Sequence, residues 1–325
     1  MHPAFSVIFL TTLIGTGQGL FLALFTVESY AAFGLLPAQA DGFYALGTAL
    51  ALAFLAAGLV ASFFHLGRPE RAWRSAAQWR TSWLSREVLA LPAFMGTVSL
   101  YGIAHFAGFN PVLATLPSAV PVSLTFVLGT AGTALAFVLF LCTGMIYACL
   151  RFLREWHTPL TVINYVLLGG ASGFTLAAAF SAAVAPELVA FLAGWALAIT
   201  LLGLAGRAAS LVRNARLKPK STLQTAIGIK HPMIAQKSQG FMGGSFNTRE
   251  FFHARPPEAF RLMSWLFLPS AFAIPALLLM AGMSAASAAL LLAAFIVQIF
   301  GLIAERWYFF AQASHPQNLY YQSAG

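Results

Sequence analysis

Gly42–Phe64 reads GFYALGTALALAFLAAGLVASFF, a run without a single charge that ends directly on His65-Leu66-Gly67-Arg68-Pro69. A helix needs about 20 apolar residues to cross the hydrocarbon core of a bilayer. This stretch therefore predicts a membrane-spanning helix that stops at a polar boundary. Runs of the same kind lie at Phe5–Val27, Val88–Phe106, Pro121–Leu150, Pro159–Val184, Leu188–Gly206, Leu262–Met280 and Ser284–Ala304, and together they predict eight spans. Composition points the same way. Charged residues are 8% and apolar residues 59% of the chain, with mean hydropathy +0.79. A soluble domain carries roughly a quarter charged residues, so most of this chain cannot face water. The expected fold is an all-α, polytopic membrane helix bundle. Residues 1–325 form one membrane domain, with a long connection at 207–261 inside it.

The connections set the orientation. Arg68, Arg71, Arg74, Arg80 and Arg86 fall between spans two and three, and Arg151 and Arg154 between four and five. Ten more basic residues lie from Arg207 to Arg261, and Arg306 follows span eight. With eight spans, all 18 Lys and Arg residues fall on one face, against only Glu28, Asp41 and Glu187 on the other. Cytoplasmic loops carry the excess of Lys and Arg, so both termini are expected in the cytoplasm, with the chain in a bacterial inner membrane. The net charge of +9 does not indicate nucleic-acid binding, because the basic residues sit in short connections rather than on a soluble module. No cleavable signal peptide is expected, since the first segment lacks a charged n-region and a small-residue cleavage site.

Six of the seven tryptophans (Trp73, Trp79, Trp83, Trp156, Trp265 and Trp307) fall at or near the basic face, as an interfacial aromatic belt does. Trp73 and Trp79 belong to an arginine-rich stretch after Pro69 that can lie in the interface as a helix. The 207–261 connection is either a docking surface for a partner or a basic tether held near anionic lipid. Cys142 and Cys149 are too far apart along one helix to bridge, and match no metal motif. Gln18 lies in Gly15-Thr16-Gly17-Gln18-Gly19, a small-residue stretch that indicates close helix packing rather than a nucleotide loop. Asn164 and Gln298 are expected to bond between helices.

His65 closes span two and Glu87 opens span three, so a hairpin can bring them to similar depth. Ionisable residues at such helix ends are candidates for function. An imidazole can hydrogen-bond a quinone carbonyl and pass a proton, and a nearby carboxylate can relay it. The bland alternative is an interfacial histidine beside a Glu87 paired with Arg86 or Arg68. Bis-histidine haem ligation needs two histidines at matched depth. His65 and His105 fall at opposite ends of their spans and the other histidines fall outside, so neither haem nor a bound metal is expected in this chain.

The N-terminal Met1–Phe9, the His65–Pro69 motif and the Ser82-Trp83-Leu84-Ser85-Arg86-Glu87 motif resemble the dimethyl sulfoxide reductase membrane-anchor family, along most of the chain. That resemblance implies an eight-helix, haem-free anchor that binds menaquinol or ubiquinone. Its implied partners are a ferredoxin-like iron–sulfur subunit and a molybdopterin catalytic subunit. His65 and Glu87 match the family's quinone-site residues, with Arg68 and Arg86 beside them. The Gln239–Glu250 stretch is similar to loops in anchors of cytoplasm-facing sulfite dehydrogenases. Arg71, Arg74, Arg213 and Arg216 are expected to dock the acidic iron–sulfur partner. The direction of electron flow stays open: sulfite oxidation and sulfoxide reduction both suit the site. A small secondary transporter is the rival reading, but the spans lack the mid-membrane charge and paired interruptions typical of one.

Overall fold

The computed structural model describes residues 3–115, 121–218, 221–235 and 257–316. Among them, eight helices are long and apolar enough to cross a membrane. In chain order come α1 (Phe5–Ala32), α2 (Asp41–Phe63), a 3-10 helix at Pro69–Gln78, and α3 (Trp83–Phe106). A small antiparallel hairpin of β1 (Val112–Thr115) and β2 (Pro121–Ser123) leads into α4 (Leu124–Ala148). Then follow α5 (Pro159–Val184), α6 (Val189–Ala215) and the short α7 (Leu223–Ile227) in the long connection. The seventh span is compound, made of α8 (Pro257–Leu268), a π-helical turn at Pro269–Ala273, and α9 (Ile274–Ser284). α10 (Ala288–Ala311) completes the bundle. Hydroxyl side chains of Ser82, Ser123, Thr158 and Ser287 accept backbone N–H bonds at the starts of α3, α4, α5 and α10. In lipid such caps matter, because a free N–H finds no water there.

α1 and α5 are the most enclosed spans, and glycine explains how they meet. A Cβ on Gly19 would collide with the backbone carbonyl of Gly169, and one on Gly173 with the backbone of Gly19. The two helices thus touch backbone to backbone, with Thr16 and Ser172 hydroxyls 3.0 Å apart across the seam. Close approach through small residues replaces the hydrophobic drive that is missing inside a bilayer. Gln18 projects the other way and donates to the Ala136 carbonyl of α4 at 2.9 Å. The small-residue stretch around Gln18 is therefore a packing device, as its sequence indicates.

Several boundaries differ from the sequence expectation. α1 runs on to Ala32 and α3 starts at Trp83, so that Glu28, Arg86 and Glu87 are helical. α4 begins at Leu124, because Pro121–Ser123 pairs as a strand. The seventh span is interrupted where Pro269 breaks the helical bonding. The freed carbonyl of Ala271 accepts from Gln298 Nε2 at 3.3 Å, and the same amide reaches Thr200 Oγ1 at 3.1 Å. Most consequential, α6 and α10 do not stop at Gly206 and Ala304 but continue to Ala215 and Ala311. Arg207, Glu305 and Arg306 consequently lie inside helices and are buried, not in connections.

Candidate functional site

α2 ends at Phe63, and His65 follows in the turn, its N–H bonded to the Ser62 carbonyl. The His65 side chain is exposed, yet neighbouring groups remove enough water to lower its pKa below the ordinary value. The imidazole is therefore neutral near pH 7 and accepts or donates through either nitrogen according to its tautomer. Phe63, Phe64, Trp73, Trp79 and Leu84 leave an apolar, exposed flank around this end of the bundle. Pro69 starts the 3-10 helix, with exposed Arg68 immediately before it. Arg71 and Arg74 are exposed, Arg71 3.9 Å from Glu70 and Arg74 over the Trp73 ring at 5.5 Å.

Arg86 has a defined structural task. Its Nε donates to the Trp79 carbonyl at 2.9 Å and its Nη2 to the Arg80 carbonyl at 2.7 Å. The guanidinium also lies 4.3 Å from the centre of the Trp83 ring. These contacts clamp the end of the arginine-rich segment onto the start of α3.

Glu87 sits one turn into α3, partly buried, and its carboxylate accepts a hydrogen bond from the Thr143 hydroxyl of α4. It faces a cavity lined also by Thr11 and Gln18 of α1, Phe140 of α4 and Tyr165 of α5. That cavity has room for no more than about one water molecule. His65 is not among its lining residues, and among the described residues no hydrogen bond or ion pair joins His65 to Glu87. Nor does an ion pair join Glu87 to Arg68 or Arg86, so Glu87 is an intramembrane carboxylate held by a neutral hydroxyl.

Two polar clusters escape a reading of the sequence alone. Near the basic face, Arg207 Nε lies 2.7 Å from Glu305 Oε1, and Arg306 Nε 3.6 Å from Glu305 Oε2. Arg306 also stacks over the Tyr165 ring at 3.9 Å, and the Tyr147 ring lies parallel to Tyr165 at 5.9 Å. Asn164 joins through its amide, 2.9 Å from Ser210 Oγ. A facing-helix match between Arg207 and the Glu305–Arg306 pair is the available signal, hidden because the apolar runs end at the first charge. At the opposite face, Glu28 accepts from the hydroxyls of Tyr101 and Thr125, and His105 Nδ1 lies 2.8 Å from Asp41. This second cluster ties the outer ends of α1, α2, α3 and α4 together.

The expected docking residues divide by role. Arg216 is exposed. Arg213 is partly buried and donates to the backbone carbonyls of Arg154 at 3.0 Å and His157 at 3.2 Å, which fixes the connection between α4 and α5. The Gln239–Glu250 stretch lies outside the described residues.

Comparison with known proteins agrees with this architecture. The family profile described as DMSO reductase anchor subunit (DmsC) matches residues 1–312. The chain is also 58% identical over 323 residues to a protein of Allochromatium vinosum that is named as a subunit of sulfite dehydrogenase. That alignment covers 99% of each chain. An eight-span bundle matched end to end in this way belongs to the DMSO reductase anchor subunit (DmsC) family, and it is a membrane anchor subunit of an oxidoreductase.

Proposed function

We propose that this chain is the quinone-reactive subunit of a molybdopterin and iron–sulfur oxidoreductase, passing electrons between the partner's cluster and quinone in the membrane. The observation that carries this reading is Glu87: an intramembrane carboxylate near the basic face that, among the described residues, has no ion-pair partner and is hydrogen-bonded to Thr143. Intramembrane ionisable groups are costly and kept for function. Quinone is the substrate here, and its head group is too large for the one-water cavity beside Glu87. It therefore approaches from the apolar flank below Phe63, Phe64 and Trp79, where the exposed imidazole of His65 is available to hydrogen-bond a carbonyl oxygen.

Reduction of a quinone takes two electrons and two protons, one proton at each oxygen. Two electrons come from the iron–sulfur partner, while the protonated forms of His65 and Glu87 each give one proton to a quinone oxygen, leaving a neutral imidazole and a carboxylate to be reprotonated. The name of the 58% identical relative supports sulfite as the ultimate donor, hence quinone reduction rather than quinol oxidation. The one-sided arginines support a cytoplasmic docking face and cytoplasmic termini, with the chain in a bacterial inner membrane. Exposed Arg71, Arg74 and Arg216 meet the acidic partner there. Against the transporter reading stands the seventh span, whose π-helical turn is a single interruption without a counterpart among the described spans.

The test is deletion of this chain. Dye-linked oxidation by the catalytic partner should persist but move to the soluble fraction, and reduction of a short-chain ubiquinone analogue should disappear. Quinone reduction at an undiminished rate without this chain would refute the assignment.

A further inference from the structure

Three small cavities adjoin one another inside the basic end of the bundle. The outermost is bounded by partly buried Glu155 and Gln312 and reaches Asn164, Arg207, Glu305 and Arg306. The second shares Arg306 with it and runs past Thr11, Thr12, Tyr165 and Ser172. The third shares Thr11, Gly15 and Tyr165 with the second and ends on Glu87. Each has room for about one water and no organic ligand. Their walls carry buried polar atoms that have no hydrogen-bond partner among the described residues: Asn164 Oδ1, Arg207 Nη2 and Gln312 Nε2. The Tyr165 hydroxyl, beside Tyr147, adds a further polar group. Buried polar groups of this kind are satisfied by ordered water.

We infer that these cavities form a hydrated file through which Glu87 exchanges protons with the basic face of the protein. This rests on the reading of Glu87 as a quinone-site residue. A quinone seated against the apolar flank covers Glu87 from the loop side, where Arg86 already clamps the 3-10 segment down. After the Glu87 carboxyl gives its proton to a quinone oxygen, forming the new O–H bond, the carboxylate must be reprotonated from elsewhere. The file opens on its other side. The proton enters between Glu155 and Gln312, passes along waters beside Arg306, and crosses the junction at Thr11 and Tyr165 to Glu87. Hydroxyls suit this junction: the Tyr165 phenol can both donate and accept, and Thr11, which donates to the Val7 carbonyl at 2.9 Å, still accepts from a water. The Arg207–Glu305–Arg306 cluster acts as a positioning group: it fixes α6 and α10 against Tyr165 of α5 so that the cavities stay in line.

The experiment uses the whole complex in native membranes with a short-chain ubiquinone analogue. Tyr165→Phe combined with Thr11→Val removes both junction hydroxyls at nearly constant volume. Quinone turnover should slow by roughly ten- to a hundredfold, with a larger solvent deuterium isotope effect. Binding of a quinone-site inhibitor and the partner's dye-linked activity should stay unchanged, which a general loss of structure would not allow. Gln312→Leu, at the far mouth and away from Glu87, carries the same expectation and stands in if the double variant does not assemble. Wild-type turnover and isotope effect in both variants would overturn the file while leaving the quinone site intact. Unchanged turnover in Glu87→Gln would instead remove the site on which the inference rests.

Discussion

Arg207 and Glu305 meet at 2.7 Å with side chains only 2% and 1% exposed, joining α6 to α10 inside the basic end of the bundle. Glu305 serves two cations, since Arg306 lies 3.6 Å from its other oxygen. Removing the shared anion is therefore worse than removing either cation. Glu305→Leu should destabilise the protein by roughly 3–5 kcal/mol, the range for breaking a buried pair and stranding its partner. Arg207→Met should cost clearly less, because Glu305 keeps Arg306. Thermal unfolding in detergent gives the comparison, and equal losses would show that the two arginines do not share the carboxylate.

The span count, the one-sided arginines and the packing role of Gln18 are legible in the sequence, because each depends on local composition. Apolar length alone sets a span, and Gly15-Thr16-Gly17-Gln18-Gly19 announces close helix approach. The buried cluster is not legible. An apolar run is naturally ended at its first charge, so Arg207 and Arg306 look like loop residues until the facing helices place Glu305 between them. The site is half legible. His65 and Glu87 stand out as ionisable groups at span ends, but the Thr143 partner of Glu87 is 56 positions away and depends on how α3 meets α4. Arg86 reads as a site cation, whereas its bonds to the Trp79 and Arg80 carbonyls are a matter of local chain folding.

The seam between α1 and α5 gives a second stability prediction. Gly173→Val should prevent the backbone contact with Gly19, costing at least about 1–3 kcal/mol as overpacking does. Gly194→Ala, on α6 where an added Cβ meets nothing within 4 Å, should be neutral or slightly stabilising. Equal behaviour of the two variants in thermal unfolding would mean that the seam is not tight.

Orientation is open to reporter fusions. Fusions after Leu36, Arg74, Thr115 and Lys220 should report outside, inside, outside and inside in turn. The inverse pattern would place the basic face in the periplasm and end the argument for cytoplasmic docking.

Docking separates Arg216 from Arg213. Arg216→Glu should release the iron–sulfur partner from membranes in fractionation while leaving the bundle as stable as before, because the side chain is exposed. Arg213→Glu should also lower thermal stability, since it loses the bonds to the Arg154 and His157 carbonyls. Full retention of the partner after Arg216→Glu combined with Arg71→Glu and Arg74→Glu would count against this face.

The most direct test of the central claim is quinone reduction by the intact complex carrying His65→Arg, measured across pH. In the wild type, the lowered pKa of His65 leaves little protonated imidazole near pH 7, so a His65-dependent rate should rise as pH falls through that pKa. His65→Arg replaces a group that gains and loses a proton with one that stays charged. It should abolish both quinone turnover and that acidic rise, with assembly and the partner's dye-linked activity unchanged. Wild-type turnover with the acidic rise intact would contradict the account and leave His65 a merely interfacial residue.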